Sequence, residues 1–152
     1  MPRTTPRLFF TTIIVILLAT SLLSACSSNA ASAIEAGELV IASIDGMPLE
    51  VKTAPTTVQQ AYQFNVANPD VMKQIPCYCG CGKMGHTSNY DCYVESVDEQ
   101  GIITYDTHAL GCSICVDITL DAMRMLRQGK TVAEIKTSID QTYAKYGPSN
   151  IP

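Results

Sequence analysis

The stretch Pro76-Cys77-Tyr78-Cys79-Gly80-Cys81-Gly82 carries a cysteine at every second position, and it decides how the rest of the chain is interpreted. Two histidines, His86 and His108, follow it. Thiolates are soft ligands that suit Cu(I), Zn(II) and iron-sulfur clusters. The sequence therefore predicts a metal site or a site of thiol redox change. Six thiols fall within the 39 residues from 77 to 115, namely Cys77, Cys79, Cys81, Cys92, Cys112 and Cys115.

Two half-sites are expected, one in a loop and one at the start of a helix. The segment 77–91 contains three glycines and shows no helical period, which predicts a tight loop that can curl around a metal. Cys112 and Cys115 are three residues apart, on one face of a predicted helix. The positive end of that helix stabilises thiolates. We therefore expect all six cysteines, with His86 and His108, to be metal ligands.

The remaining pattern predicts a mainly α domain of three or four short helices with one β-hairpin and the cysteine-rich loop. Residues 92–97 and 102–105 alternate or are β-branched around a turn, which is typical of a hairpin. Thr131 and Glu134 fit a capping box for the last helix. Three other helices are predicted. One is capped by Thr56 or Thr57 and runs to about Val66, one spans roughly Pro69 to Gln74, and one runs from about Gly111–Ser113 to Arg127.

The N-terminus has the pattern of a targeting segment. Arg3 and Arg7 precede a largely apolar run from Leu8 to Leu23. Leu23-Ser24-Ala25-Cys26 resembles the lipobox of bacterial lipoproteins, in which the cysteine is acylated, for example with palmitate, and becomes the new N-terminus. An uncleaved transmembrane anchor is the alternative, because the run approaches the length of a short spanning helix.

This pattern divides the chain into a signal peptide (1–25), a lipidated Cys26 with a flexible linker (26–54) and a cysteine-rich metal-binding domain (55–148). The linker is expected because its small and polar residues bury little apolar surface. Either form of anchor places the domain at the cell membrane, facing the extracytoplasmic side.

The charge of the chain argues against nucleic acid as a partner. The full chain has 10 Lys and Arg against 14 Asp and Glu, a net charge of -4. Without Arg3 and Arg7 the balance is 8 against 14, or -6. Phosphate binding relies on clustered basic residues, and this sequence has no such cluster. The expected partners are the membrane, a metal ion, and a protein that donates or accepts the metal.

The sequence resembles the family of bacterial lipoproteins named after the PCYCGC motif. Residues 76–81 match that motif letter for letter, and Gly85-His86-Thr87-Ser88-Asn89, Asp91-Cys92, His108 and Cys112-x-x-Cys115 follow in order. The resemblance spans about residues 54–146. It implies an extracytoplasmic, lipid-anchored protein and transfers no settled biochemical activity.

Copper as Cu(I) is the metal that the residues favour. Six thiolates exceed the four ligands of a structural zinc site, whereas a multinuclear Cu(I)-thiolate cluster can use all of them. The expected role is copper holding, buffering or delivery. A zinc site of four cysteines, or of three cysteines and one histidine, is the first alternative.

Two further alternatives concern the same cysteines. Cys79-x-Cys81 followed by Cys112-x-x-Cys115 resembles bacterioferritin-associated ferredoxin-like domains, which implies a [2Fe-2S] electron-transfer site. Six cysteines outside the cytoplasm can also form disulfides, with 15 possible pairings, and make a stapled interaction domain. No nucleophile-base-orienter set or phosphate loop is visible, so we do not expect an enzyme.

Overall fold

The computed structural model describes residues 39–151. Helices frame this part of the chain, and a two-stranded hairpin separates its first three helices from its last two. The mainly α fold with one hairpin and a cysteine-rich loop is thereby confirmed. The elements are α1 (Leu49–Lys52), α2 (Thr56–Ala67), α3 (Pro69–Met72), β1 (Val94–Val97), β2 (Ile103–Tyr105), α4 (Ser113–Arg127) and α5 (Val132–Tyr143).

The core forms where α4 packs between α2 and α5. Its buried residues recur at spacings of three and four, as expected of a helix with one face turned inward. Burying one large apolar side chain stabilises a fold by about 1.5–3 kcal/mol, so these contacts are the main source of its stability. The buried side chains include Phe64 from α2, Ile118, Ala122 and Met125 from α4, and Ile135, Ile139 and Tyr143 from α5.

Helix ends agree closely with the sequence prediction. Asn68 is the N-cap of α3 and Pro69 its first residue, although α3 ends at Met72 rather than at Gln74. The N-cap of α2 is Pro55, so neither predicted threonine occupies that position. In α5 the predicted capping box is confirmed, since the Thr131 side chain accepts from the Glu134 backbone and the Glu134 side chain accepts from the Thr131 backbone.

The hairpin brings two distant chain segments to the same place. β1 and β2 are antiparallel, with Val94 opposite Tyr105 and Val97 opposite Ile103. At its open end the backbone N–H of Asp106 donates to the carbonyl oxygen of Tyr93 across 3.0 Å. Because Cys92 lies two residues before the first strand and His108 three residues after the second, the pairing brings these two residues close together.

The packed part of the chain reaches further toward the N-terminus than the sequence indicated. Met47 and Val51 are 3% and 2% exposed and belong to the core, although both lie in the segment expected to be a flexible linker. They are four residues apart, about one helical turn, with Pro48 as the N-cap of α1 between them. These two apolar side chains pack the segment against the core. The average composition of the segment, which is small and polar, gives no sign of this packing.

The predictions for the extreme N-terminus lie outside the described residues. These are the signal peptide (1–25), the lipidated Cys26 and the linker as far as residue 38. Within residues 39–151, no helix combines the length and the apolar character needed to cross a membrane. Anchoring of the chain therefore stays a prediction from sequence.

Candidate metal centre

The cysteine loop supplies three thiols that turn toward one another. As in a strand, side chains two residues apart lie on the same side, and the Sγ atoms of Cys77 and Cys79 are 3.4 Å apart. Gly80 then adopts a φ of 86°, a left-handed conformation that favours glycine. This turn starts a 3-10 helix at Cys81–Met84 and directs the chain back over the loop.

Three more ligands come from the segments that flank the hairpin and from α4. Cys92 ends a 3-10 helix at Tyr90–Cys92, and His108 begins another at His108–Leu110. Cys115 lies in the first turn of α4. We call the six residues that these elements bring together the cysteine cluster: Cys77, Cys79, Cys81, Cys92, His108 and Cys115.

Close distances join the side chains of the cysteine cluster. The Sγ atom of Cys115 lies 3.5 Å from that of Cys77 and 3.6 Å from that of Cys79. The Sγ atoms of Cys81 and Cys92 are 3.7 Å apart. On the other side, Nε2 of His108 is 3.3 Å from Sγ of Cys79. A tetrahedral thiolate site with metal-sulfur bonds of about 2.3 Å has sulfur-sulfur edges of about 3.8 Å, so these spacings are close to those of a metal site.

Two overlapping groups of four ligands make up the cysteine cluster. Within each group the donor atoms all lie within 4.8 Å of one another. Cys79 and Cys92 belong to both groups, so the cluster offers two adjoining ligand sets that share two thiols. The first group is Cys77, Cys79, Cys81 and Cys92, and the second is Cys79, Cys92, His108 and Cys115.

The cluster is closed to solvent on most sides. Among its cysteines only Cys79 is half-buried, and the other four are 0–1% exposed. All six cysteines of the described residues are free thiols. A buried set of thiolates carries uncompensated negative charge, which a bound cation would neutralise. The environment therefore favours a metal-bound state over a fully ionised metal-free one.

Ionisation is uneven within the cluster. The pKa of Cys79 is lowered to about 5, because hydrogen bonds from Cys92 and from the imidazole of His108 stabilise its thiolate. The pKa of Cys77 also lies well below its ordinary value, mainly because of a hydrogen bond from Cys115 and, as the next largest effect, one from Cys81. Two of the five cluster thiols are thereby ready to bind a cation.

The remaining three cluster thiols keep their protons. Hydrogen bonding to Cys77 raises the pKa of both Cys81 and Cys115, and burial adds to the effect. The pKa of Cys92 is also raised, mainly by a hydrogen bond to Cys115 and, as the next largest effect, by one to Cys77. Because metal ligands must be deprotonated, a metal that uses these thiols would release their protons on binding.

His86, predicted as a ligand, lies next to the cluster but in neither group of four. Its ring packs edge-on against that of His108, with the centroids 5.4 Å apart. Its Nε2 atom is 3.5 Å from Oδ2 of Asp106, whose Oδ1 accepts from the backbone N–H of His108 across 2.7 Å. Nδ1 of His86 is buried and has no hydrogen-bond partner within residues 39–151. The structure thus places His86 behind His108 as a supporting side chain.

Cys112, the sixth predicted thiol, is also outside both groups. It is the N-cap of α4 and is half-buried, and its side chain makes no capping hydrogen bond to any described residue. Burial raises the pKa of its thiol, and the thiols of Cys79 and Cys115 are its neighbours in the cluster. Five of the six predicted cysteines and one of the two histidines therefore come together, while Cys112 and His86 border them.

Asn150 is a neighbour of the site that sequence reasoning missed. Its side-chain amide donates to Sγ of Cys81 across 3.5 Å and to the carbonyl oxygen of Ser88 across 3.0 Å. Its side-chain oxygen accepts from the backbone N–H of Cys77 across 2.6 Å. No motif in the sequence indicates this contact, because the two partners in the loop are 73 and 69 residues away along the chain.

A second missed group ties the loop to α4 beneath the cluster. The side-chain amide of Asn89 donates to the backbone carbonyl of Cys115 across 3.2 Å, and its oxygen accepts from the hydroxyl of Thr119 across 2.7 Å. Tyr93 Oη and Thr119 Oγ1 lie 2.9 Å apart. All three side chains are fully buried. Buried hydrogen-bonded networks of this kind define a single arrangement, and this one positions Cys115.

Fold and site together define a mainly helical protein with a buried cluster of cysteines and one histidine that can hold a metal ion. The chain belongs to the PCYCGC family: the family model described as "Protein of unknown function with PCYCGC motif" matches residues 14–152. No curated protein and no solved structure shows a significant match. The predicted family membership is confirmed, and the function rests on the chemistry of the site.

Proposed function

We propose that this protein holds Cu(I) in a thiolate cluster and buffers or delivers the ion at the outer face of the cell membrane. Five buried or half-buried sulfur atoms and one imidazole are a soft donor set, the kind that selects Cu(I) among available ions. The metal is cargo in this proposal, and no enzymatic step is part of it.

The overlap of the two ligand groups is the observation that supports copper most directly. A single tetrahedral zinc ion uses four ligands and would leave two members of the cluster without a role. Two Cu(I) ions that share the thiolates of Cys79 and Cys92 would use all six. Cys79 and Cys77 have lowered pKa values, and two ions would compensate these thiolates together with those that the other cluster thiols form when they release their protons on binding.

A structural zinc site is the second candidate, and one observation favours it. The Sγ distances of 3.4–3.7 Å are close to the sulfur-sulfur edges of a tetrahedral zinc-thiolate site. The group of Cys77, Cys79, Cys81 and Cys92 would suffice for one ion. Under this alternative the chain binds one metal tightly, and the metal holds the fold together.

The ferredoxin-like alternative has less support from the geometry. It requires Cys79, Cys81, Cys112 and Cys115 as ligands, and this set is neither of the two groups found in residues 39–151. Cys81 lies against Cys92 instead, with their Sγ atoms 3.7 Å apart. Colour and a reversible redox wave would nevertheless identify an iron-sulfur cluster at once.

Binding rather than catalysis is proposed because the cluster thiols are enclosed. A surface groove between α4 and α5 is lined by side chains that include Arg124 and Lys130, and it contains no residue of the cysteine cluster.

Placement at the membrane is proposed from the basic and apolar N-terminal segment and from the sequence around Cys26. A tethered metal store at that surface fits both features.

The decisive experiment is an anaerobic titration of the full reduced chain with Cu(I) in competition with a chromogenic Cu(I) chelator. We expect two or more Cu(I) ions per chain, and we expect the six cysteines of residues 39–151 to remain reduced. Cys79→Ser should remove most of this capacity, because Cys79 serves both groups and, being half-buried, tolerates the change. Met84→Leu is the control, since Met84 is 62% exposed and in neither group.

Each other outcome selects a different function. One Zn(II) per chain, with Cu(I) unable to compete, would establish the structural zinc site. Iron with visible absorption would establish electron transfer. A chain with no bound metal and no free thiols would show that the cysteines are paired as disulfides, and the copper proposal would be abandoned.

A further inference from the structure

One thiol is placed beside the cysteine cluster without belonging to it. Cys112 precedes α4 at the N-cap position, three residues before the cluster ligand Cys115, and lies in neither group of four. Four of the five cluster cysteines are 0–1% exposed, whereas Cys112 and Cys79 are half-buried. Within residues 39–151, Cys79 and Cys112 are therefore the thiols of the site that solvent or a partner can reach.

We propose that Cys112 is the entry and exit thiol of the cluster, the ligand through which a metal ion passes between the buried site and a partner that presents exposed thiols. This inference rests on the proposed function and deepens it, because it names the residue that exchanges the metal and the chemistry of the partner. Cys79, the half-buried member of both groups, is the ligand that Cys112 replaces.

The geometry supports this role in two ways. An N-cap side chain ordinarily accepts a hydrogen bond from the first turn of its helix, but the thiol of Cys112 makes no such capping bond within the described residues. Its neighbours are instead the thiols of Cys79 and Cys115, both members of the cysteine cluster. Its position one turn from Cys115 also keeps it near the metal that Cys115 would hold. Cys112 therefore differs from a permanent ligand, which would belong to one of the two groups, and from an isolated surface cysteine, which would lie away from both groups.

Exchange through Cys112 balances without any oxidant or reductant. The Cys112 sulfur forms a bond to Cu(I) and its proton passes to water, while the bond from Cu(I) to the Cys79 sulfur breaks and leaves Cys79 as a thiolate. Copper remains Cu(I) throughout. A thiol of the partner then replaces the Cys112 sulfur in the same manner, and Cys112 recovers a proton from the partner thiol. The buried thiols never have to reach the surface.

The test compares the amount of bound metal with the rate of its release. The full reduced chain is loaded with one equivalent of Cu(I), and release to a chromogenic Cu(I) chelator is followed by stopped-flow absorbance. Cys112→Ser is a suitable variant, because serine is a favoured N-cap residue and preserves the start of α4. We expect unchanged stoichiometry and release slowed by roughly tenfold, since a pre-positioned exchanging group is lost.

Met84→Leu is the control, because it removes an exposed soft side chain of the cysteine loop that belongs to neither group. It should release Cu(I) at the rate of the unchanged chain. If Cys112→Ser released metal equally fast, Cys112 would have no part in exchange and the inference would fail. If Cys112→Ser bound less copper, Cys112 would be a permanent ligand, which also overturns the inference but leaves the copper function standing. Failure of the unchanged chain to bind Cu(I) would overturn the proposed function itself.

Discussion

The side-chain amide of Asn150 donates a hydrogen bond to Sγ of Cys81, and its side-chain oxygen accepts one from the backbone N–H of Cys77. A second link runs from the backbone N–H of Asn150 to the carbonyl oxygen of Cys77 across 3.1 Å. At Gly147 the tail passes so close that an added Cβ would lie 3.0 Å from the carbonyl oxygen of Tyr78. The segment 147–150 thus holds the cysteine loop in the shape that brings its thiols together.

Replacing Asn150 with alanine should weaken both the fold and the site. The change leaves the backbone N–H of Cys77 without its side-chain acceptor, and a lost buried hydrogen bond costs about 1–3 kcal/mol. Urea unfolding of the metal-free chain measures the loss, and Cu(I) competition should show weaker binding. Ser149→Ala is the control, because within the described residues that exposed hydroxyl bonds to the backbone of Ile151 and to neither Cys77 nor Cys81. If Asn150→Ala and Ser149→Ala changed the free energy of unfolding and the Cu(I) affinity equally, the side chain of Asn150 would not stabilise the loop.

Cys79 should be the first thiol to react with iodoacetamide in the metal-free chain. Its pKa of about 5 means that the reactive thiolate predominates above that pH, so the alkylation rate should rise through pH 5 and level off above it. Burial raises the pKa of Cys112, so that half-buried thiol stays protonated and slow at neutral pH. Peptide mapping by mass spectrometry over a pH series measures both rates. Preferential labelling of Cys112 at pH 7 would contradict the assignment.

The two histidines should differ in what their loss removes. His108 is a ligand of one group only, so His108→Ala should lower the copper content without abolishing it. His86 supports that ring from behind, and loss of such a supporting contact lowers metal affinity by about 10–100-fold while the number of bound ions is kept. Copper content and competition affinity, measured on both variants, separate the roles. An unchanged copper content in His108→Ala would remove this residue from the ligand set.

Thr119 should be a strong determinant of stability despite its small size. Thr119→Val leaves the side-chain oxygen of Asn89 and the hydroxyl of Tyr93 without a partner in a fully buried region, at a cost of about 1–3 kcal/mol. The free energy of unfolding in urea measures this cost. Thr137→Val is the matched control, since the exposed Thr137 hydroxyl only bonds back to Ala133 in the same helix, and it should change stability by less than about 0.5 kcal/mol. Similar losses in both variants would mean that the buried network is not important.

Local signals explain why the fold class and most helix ends could be predicted. The Asn68-Pro69 start and the pair Thr131 and Glu134 act through neighbouring backbone groups, so their meaning is contained in a few consecutive residues. The hairpin has the same local character, because its turn and its strands are adjacent in sequence. The burial of Met47 and Val51, near the start of the described chain, was not predictable in this way, because it depends on the core surface against which these side chains pack.

The ligand set was predictable in kind and only partly in membership. Spacing identifies cysteines that are near one another in sequence, and it suggested Cys112 with Cys115 as a pair of equal ligands. Instead Cys115 points into the cluster, while Cys112 occupies the N-cap and stays at its border. The contact of Cys81 with Cys92, and the role of Asn150, depend on how the hairpin and the tail fold back, which no short pattern encodes.

The thiols of Cys79 and Cys92 belong to both ligand groups, so the two positions proposed for Cu(I) would not be independent of each other. An ion in one position would orient two of the donors that the other requires, and it would commit part of their electron density. The second binding constant should therefore differ from the first, and a titration should not follow the curve of two equal sites. Under the proposed function, the chain would pass through a distinct half-loaded state as the metal supply changes, and a partner could distinguish that state from the full one.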